Sequence, residues 1–208
     1  MRWPLKPEWI GQDAFVIGGG PSVHSFPIHL LEDKKVIGCN DAYLFGPSIV
    51  DVLIFGDKKW YEHHKPSPEF QAFSNPILTN DPHLEGINGK VLWCPRRDAG
   101  FHPDAIGWNG NTGSAAINIA LILGAHRIFL IGFDMKLDEK GNSNYHPNLL
   151  DTPTDEAHYA RYMAGIASTA SMIRATWPGV RVYNLNPYSE MTTFPRIPHQ
   201  AILREERN

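Results

Sequence analysis

One stretch of the sequence indicates the class of fold: Asn109-Gly110-Asn111-Thr112-Gly113-Ser114, then the apolar run 115–123, then Arg127-Ile128-Phe129-Leu130-Ile131-Gly132-Phe133-Asp134. The pattern predicts a Gly-rich loop that enters a buried helix, followed by a core strand that ends in an acid. A helix entered through small polar residues presents free backbone N–H groups and a positive dipole end, which suit a phosphate or a carboxylate. In doubly wound α/β proteins, ligands bind at the carboxyl ends of the strands, where Asp134 would lie.

Another Gly-rich loop, which is the first Gly-rich loop along the chain, follows the first strand-like run. Residues 14–17 are apolar, and Gly18-Gly19-Gly20-Pro21-Ser22 comes directly after them. Glycines let the backbone approach a ligand closely, and the serine adds a hydroxyl. A Rossmann fingerprint starting at Gly18 would require glycine where the chain has Val23, and no Gly-Lys-Ser/Thr follows as in a Walker loop. A tight turn would also explain three glycines, but two such loops in one chain favour a ligand site.

Length, charge and cysteine content limit the class of protein. With 208 residues, the chain is expected to form a single domain over 1–208 that buries a core without cross-links. Two cysteines are too few for a disulfide framework, and no apolar run reaches the length of a membrane span. The N-terminus lacks the apolar core of a signal peptide, so we expect a cytoplasmic protein. A net charge of −3 argues against a partner that is duplex nucleic acid.

Short apolar runs recur along the chain, with helical patterns between several of them. The candidate strands are residues 14–17, 35–39, 52–55, 91–94, 128–131 and 180–185. This alternation is typical of a parallel sheet covered by helices. The sequence therefore predicts an α/β fold: a single Rossmann-like, doubly wound domain, with a mostly parallel sheet, helices on both faces and a lid segment.

Two segments are expected to border the site. Residues 65–108 are rich in Pro, Gly, Asn, Asp and His and contain one clear strand, so we expect long loops there. Residues 136–152 show almost no apolar periodicity, which predicts a mobile lid.

A long helix and a tail complete the chain. Thr152 and Pro153 are suited to the N-cap and first position of a helix that should end near Trp177. The tail, residues 195–208, alternates a few apolar residues with a charged end. It is expected either to pack on a neighbouring subunit of a homo-oligomer or to fray.

Polar side chains recur at the ends of the candidate strands. Any one of them is as well explained by a turn, but the carboxyl ends of parallel strands meet at one edge, so the set would gather around one crevice. The residues are Asn40, Asp41, Asp57, Asp134, Asn184 and Asn186.

The histidines invite a metal or an acid–base interpretation. No pair shows the spacing of a zinc motif, so we expect no dedicated metal site. His146 in the lid and His158 at the start of the long helix are the candidates for proton transfer, because imidazole titrates near neutral pH. Alternatively, His158 only caps its helix and His146 is only solvated.

These motifs together resemble a known family. The chain resembles the bacterial sialyltransferases that use CMP-activated nonulosonic acids, and the related Rossmann-type domains of flagellin-modifying transferases and 6-hydroxymethylpterin diphosphokinase-like proteins. The resemblance extends from the first strand to Asn186-Pro187. The matching positions are Gly18 to Ser22 for a Gly-Asn-Gly-Pro-Ser loop, Cys39-Asn40 for Cys-Asn, Thr112-Gly113 for Ser-Gly, Gly132-Phe133-Asp134 for Gly-Ile-Asp, and His158-Tyr159 for His-Tyr.

The resemblance implies a nucleotide-dependent transferase, foremost a glycosyltransferase that moves a sugar from a CMP-nonulosonate-like donor to a small-molecule or glycan acceptor. It also implies that the two loops hold the nucleotide and that a tyrosine of the long helix contacts the phosphate. The resemblance gives this role to Gly20, Ser22, Asn40 and Thr112, with Tyr159 as the tyrosine. Together with the other loop residues and the acidic strand ends, the expected nucleotide-binding residues are Gly18, Gly19, Gly20, Pro21, Ser22, Asn40, Asp41, Asp57, Asn111, Thr112, Gly113, Asp134 and Tyr159.

The chain departs from the family pattern at three positions. The family's loop asparagine is Gly19 here, its arginine before the Ser-Gly loop aligns with Asn109, and its general-base histidine aligns with Tyr162. Either His158 or His146 has taken over proton abstraction, or the chemistry differs and Tyr162 carries it.

Two alternatives remain open. A pyrophosphokinase of the 6-hydroxymethylpterin type would use ATP and magnesium, with the metal held by carboxylates such as Asp41, Asp57 or Asp134; that branch's His-rich Gly-Asp-Asn motif is not found in the sequence. A degenerate, non-catalytic nucleotide-binding or assembly module would also tolerate Tyr162 at the base position.

Overall fold

A sheet of seven parallel strands forms the centre of the protein. The computed structural model describes residues 6–87, 89–102, 104–147 and 155–205. The strands of the described residues are β1 (Asp13–Ile17), β2 (Lys35–Cys39), β3 (Val52–Phe55), β4 (Ile77–Thr79), β5 (Val91–Trp93), β6 (Arg96–Arg97), β7 (Ile106–Gly107), β8 (Arg127–Ile131) and β9 (Arg181–Asn184). Their order in the large sheet is β5-β4-β3-β2-β1-β8-β9, and β6 pairs with β7 separately.

Helices cover both faces of the sheet. The α-helices are α1 (Lys58–His64), α2 (Pro68–Ala72), α3 (Thr112–Leu123), α4 (Glu156–Thr176) and α5 (Gln200–Glu205), and short 3₁₀ turns occupy Pro21–Ser25, Ile28–Leu31, Asn40–Phe45 and Pro82–Leu84. Along β1, Ala14 and Val16 belong to the core under α3 and α4, whereas Phe15 and Ile17 belong to the core under α1 and α2. Because both faces are covered, the strands are continuously apolar.

The order of the strands places a crevice at the centre of the sheet. The chain adds β2, β3, β4 and β5 on one side of β1, and β8 and β9 on the other. The connections that follow β1 and β8 therefore run to opposite sides of the sheet. The point between them is the switch point, where doubly wound proteins bind ligands. Gly18 N–H donates to Ile131 O at 2.8 Å, and Gly20 N–H donates to Gly132 O at 2.8 Å. These two hydrogen bonds hold the starts of the two loops together. The predicted α/β fold is confirmed.

The predictions for the middle segment and the helix start need correction. Residues 65–108 hold β4, β5, β6, β7 and α2, rather than one strand. The sequence signal for β4 was weak because its apolar run is only Ile77-Leu78, whereas the predicted strand at β5 has four apolar residues, 91–94. The long helix begins at Glu156 with Asp155 as its N-cap; the predicted cap residues Thr152 and Pro153 lie outside the described residues.

The tail, as far as it is described, packs on its own chain. Ile197 N–H donates to Asn184 O at 2.9 Å, and Ile202 is buried in the core under α1 and α2. This packing does not test the predicted homo-oligomer. Among the described residues, no helix is long and apolar enough to cross a membrane.

Candidate functional site

A cleft of about 430 Å³ lies at the carboxyl edge of the sheet. It brings together all three predicted catalytic residues and most of the predicted nucleotide-binding residues. Pro21 and Ser22 are not among the residues that line it. The predicted residues that do line it are Gly18, Gly19, Gly20, Asn40, Asp41, Asp57, Asn111, Thr112, Gly113, Asp134, His146, His158, Tyr159 and Tyr162.

The start of α3 supplies backbone donors to the cleft. Asn111 is the N-cap, and its side chain accepts from Ser114 N–H at 2.7 Å. Within the described part of the chain, no group accepts from the N–H groups of Thr112 and Gly113, which are oriented with the positive end of the helix dipole. The loop and the helix start lie where the sequence predicts them, and free N–H groups at the N-terminus of a helix can bind an anion.

The first Gly-rich loop binds Asp134 instead of presenting its serine to the cleft. Ser22 N–H donates to Asp134 Oδ2 at 2.7 Å, its hydroxyl donates to Oδ1, and Asn186 Nδ2 donates to Oδ1 at 2.8 Å. The carboxylate approaches the loop so closely that a Cβ at Gly20 would lie 2.6 Å from Asp134 Oδ2. Glycine is therefore required at this position for steric reasons.

The hydroxyl of Tyr159 also lies in the cleft, close enough to Asp134 to feel its charge. Tyr159 lies on the first turn of α4 and lines the cleft, and its buried hydroxyl has no hydrogen-bond partner among the described residues. Burial, and next the charge of Asp134, raise the pKa of Tyr159 to about 12. The hydroxyl thus remains protonated near neutral pH and can donate to an anionic ligand.

His158 and Tyr162 lie one turn apart on the exposed side of α4. His158 Nδ1 is 2.7 Å from Asp155 Oδ1, and the backbone N–H of His158 also donates to this N-cap carboxylate. The imidazole and the Tyr162 ring are 6.4 Å apart, and the Arg161 guanidinium lies 5.3 Å from the centre of the same ring. This face brings a cation and a histidine to the rim of the cleft.

The described part of the predicted lid, residues 136–147, is docked on the first Gly-rich loop. Tyr145 N–H donates to Gly19 O at 2.9 Å, and the Tyr145 ring stacks on Phe45 at 5.4 Å. Asn144 Oδ1 lies 2.9 Å from the point where a Cβ of residue 19 would be. Whether the segment moves stays a prediction, and residues 148–152 lie outside the described residues.

Docking of this segment places His146 against a buried carboxylate. His146 Nδ1 lies 3.2 Å from Asp41 Oδ2, and the side chain of Asp41 is only 4% exposed. The indole N–H of Trp60 donates to Asp41 Oδ1 at 2.6 Å, and His64 Nε2 lies 3.5 Å from the same oxygen. Two residues predicted for different roles, His146 for catalysis and Asp41 for the nucleotide, thus form one pair.

The side chains of the aromatic cluster that follows β3 pack mainly on one another. Trp60 stacks on His64 at 4.4 Å, and Tyr43 OH is 2.8 Å from His64 Nδ1. Burial lowers the pKa of His64, and the nearby charge of Asp41 opposes that shift. The cluster therefore covers the sheet edge and supports Asp41, although Trp60 also lines the cleft.

The carboxylates fit a magnesium site poorly. Asp41 and Asp134 each have both oxygens engaged by protein groups, and Asp57 Oδ1 accepts from Lys59 N–H as the N-cap of α1. The described residues contain no group of three or more potential metal ligands. We therefore derive no chemical step through a metal.

Sequence reasoning missed several cleft residues. Lys136 adds a cation to the cleft. It follows Asp134 by two residues, so its closeness to a strand end was a signal that could have identified it. Trp108 packs directly on the backbone of Gly56, and Asn144 comes from the lid. No local sequence signal identifies these two, because only the tertiary fold brings them to the cleft.

The fold is shared with solved sialyltransferases. The sialyltransferase CstII from Campylobacter jejuni, solved with the substrate analogue cytidine-5'-monophosphate, matches 90% of this chain and 85% of its own at 16% identity and a TM-score of 0.54. The sialyltransferase CST-II, solved with a trisaccharide acceptor and CMP, matches 89% of this chain and 86% of its own at 15% identity and a TM-score of 0.53. An α-2,3-sialyltransferase from Campylobacter jejuni matches 92% and 83% at 15% identity and a TM-score of 0.52.

At the level of sequence, no family model and no curated protein matches the chain. At these identities the similarity is one of fold. The predicted resemblance to sialyltransferases is thus confirmed in structure, while the roles of individual residues stay predictions.

Proposed function

We propose that this protein is a glycosyltransferase that uses a nucleotide-sugar donor. The observation that carries the proposal is a set of hydrogen-bond donors in the cleft. The backbone N–H groups at the N-terminus of α3 and the Tyr159 hydroxyl have no acceptor among the residues that the structure describes. A diphosphate or phosphodiester group is the kind of ligand that satisfies such donors. Lys136 and Arg161 add positive charge at the same cleft.

The proposed donor is a CMP-nonulosonate-like sugar. Structures that share the fold were solved with CMP and with a trisaccharide acceptor, which supports a cytidine nucleotide and a glycan or other hydroxylated acceptor for this chain. The acceptor hydroxyl must lose a proton as it attacks the sugar, so the cleft must also supply a base. His146 and His158 both line the cleft and can serve.

Calorimetry with CMP, UMP, GMP and AMP at millimolar concentration tests the nucleotide site. We expect CMP to bind, and we expect CMP-N-acetylneuraminic acid to be hydrolysed slowly to CMP when no acceptor is present. If none of the nucleotides binds, the proposal is wrong. If CMP binds but its sugar conjugate stays intact at high protein concentration, the protein is a nucleotide-binding module instead. Formation of AMP from ATP, magnesium and 6-hydroxymethyl-dihydropterin would instead identify a pyrophosphokinase.

A further inference from the structure

We infer that Asp41 and His146 form the proton-accepting pair of the cleft, with His146 as the general base and Asp41 as the residue that orients it. This inference rests on the proposed function, because it concerns the base that activates the acceptor. It gives Asp41 a role different from nucleotide binding, and it selects between the two candidate histidines.

The contacts of His146 determine which ring nitrogen carries the proton. Nδ1 faces two acceptors, Asp41 Oδ2 at 3.2 Å and the carbonyl oxygen of Pro147 at 3.1 Å. A neutral imidazole in this position carries its proton on Nδ1 and leaves the lone pair on Nε2. Nε2 points towards the first Gly-rich loop, 3.9 Å from the position of a Cβ at Gly19. The basic nitrogen is thus on the side of the predicted nucleotide loop.

Asp41 is held in place by side chains of the aromatic cluster that follows β3. The Trp60 indole N–H donates to Oδ1 at 2.6 Å and His64 Nε2 is 3.5 Å from the same atom, so Oδ2 is directed at His146. His64 is fixed in turn by Tyr43 OH at 2.8 Å. A buried carboxylate with a fixed orientation aligns the imidazole and stabilises the imidazolium that forms when it accepts a proton.

The competing pair, His158 with Asp155, is more exposed to solvent. The side chains of His146 and Asp41 are 15% and 4% exposed, whereas those of His158 and Asp155 are 33% and 65% exposed. Water screens the second pair, and Asp155 also caps α4 by accepting from the backbone N–H of His158. Water therefore screens the interaction between His146 and Asp41 less than it screens the interaction between His158 and Asp155.

The chemical step balances without a metal or redox partner. His146 Nε2 takes the proton of the acceptor hydroxyl, while the oxygen of that hydroxyl forms a bond to the anomeric carbon of the donor sugar. The bond between that carbon and the phosphate oxygen breaks, and its electron pair leaves with CMP. In the absence of acceptor, water takes the acceptor's place and the product is the free sugar, after which imidazolium returns its proton to solvent.

Several titratable groups face His146 and enter its pH dependence. They are Asp41, His64 and Tyr145, with Tyr43 and His24 behind them. The carboxylate of Asp41 stabilises the positive charge that the imidazole gains when it accepts a proton, so removing the carboxylate charge should weaken proton abstraction by His146. The acidic limb of the rate profile, which reports loss of the free base, then moves to lower pH.

The test uses the full chain with Asp41→Asn, which keeps the shape of the side chain and removes its charge. The imidazole signals are titrated by NMR, and His146→Gln identifies the His146 signal by its disappearance. We expect the proton affinity of His146 to fall on the order of tenfold in Asp41→Asn. CMP affinity should stay within about threefold, while hydrolysis of CMP-N-acetylneuraminic acid should slow about 100-fold through kcat rather than KM. Asp155→Asn is the matched variant of the exposed pair and should change hydrolysis by less than about threefold.

Three results would overturn the inference. The first is a His146 titration that Asp41→Asn does not change. The second is donor hydrolysis that survives in Asp41→Asn but is lost in Asp155→Asn, which would assign the base to His158. The third is a loss of CMP affinity in Asp41→Asn with no change in the His146 titration, which would make Asp41 a nucleotide ligand. If the wild-type protein hydrolyses no nucleotide sugar, the proposed function fails, and the NMR titration alone still decides whether Asp41 controls His146.

Discussion

The hydroxyl of Ser22 donates to the buried carboxylate of Asp134, across 112 residues of sequence. Sequence reasoning placed both residues at the nucleotide, yet the contact joins them to each other and leaves only Asp134 at the cleft. Ser22 therefore links the first Gly-rich loop to the end of β8. Its contribution to the site is the position of the loop rather than a direct contact with phosphate.

Replacing Ser22 by alanine should therefore destabilise the fold more than it weakens nucleotide binding. The change removes a hydrogen bond to a charged group that is 5% exposed, and we expect a loss of about 1.5 to 3 kcal/mol in the free energy of unfolding. Denaturant titration measures it. Ser25→Ala is the matched control, since its exposed hydroxyl bonds only to Ser22 O and the change should cost less than about 0.5 kcal/mol. Unchanged stability with a weakened CMP affinity would return Ser22 to the nucleotide.

Tyr159→Phe should have the opposite effect. The hydroxyl has no partner within the described part of the chain, so its removal should not lower the free energy of unfolding. If it donates to a bound phosphate, its loss weakens CMP binding by about 1.5 to 3 kcal/mol. Calorimetry and denaturant titration on one preparation separate the two effects. Tyr188→Phe, at an exposed tyrosine outside the cleft, should change neither quantity.

Much of the fold could be predicted because parallel strands buried on both faces leave continuous apolar runs in the sequence. The predicted strand at 35–39 coincides with β2 and that at 52–55 with β3. Strand β4 was not predicted, because its apolar run has only two residues, Ile77 and Leu78, which is too short to show a pattern. The two Gly-rich loops were identifiable for the same local reason: glycine and small polar residues directly follow or precede an apolar run.

The pairing within the site could not be predicted in the same way. Asp41 follows β2 and His146 lies in a segment without periodicity, so no spacing relates them. Their contact depends on Tyr145, whose backbone binds Gly19 O and whose ring stacks on Phe45. These are long-range contacts made by residues that show no pattern of their own. The sequence identified the chemical groups of the site, while the tertiary structure determined their partners.

Two adjacent glycines should respond differently to alanine. At Gly20 the new Cβ would lie 2.6 Å from the Asp134 carboxylate and 2.7 Å from the backbone oxygen of Gly132, neither of which can move easily. We expect a loss of about 2 to 4 kcal/mol in the free energy of unfolding. At Gly19 the contact at 2.9 Å is with Asn144 Oδ1, the end of a side chain in the lid.

Gly19→Ala should therefore displace the lid rather than unfold the sheet. Limited proteolysis of residues 136–147 should become faster than in the wild type, while thermal unfolding changes little. The pair of variants is its own control, since both add one methyl group to the same loop. Equal destabilisation by the two substitutions would contradict the docking of Asn144 over Gly19.

Stability should decline at alkaline pH through the thiol of Cys39. This thiol lines the cleft wall but is buried, and burial raises the pKa of Cys39 to about 12. In the unfolded chain a cysteine titrates near a pKa of about 8.5. As the pH rises, the unfolded chain therefore loses the thiol proton at a lower pH than the folded protein does. The stabilisation is complete below about pH 8.5 and is lost progressively as the pH rises towards 12.

Denaturant titrations at about pH 8, 9.5 and 10.5 should show a steeper decline in the wild type than in Cys39→Ala, which lacks the titrating group. Parallel declines in the two proteins would show that Cys39 does not titrate differently on unfolding.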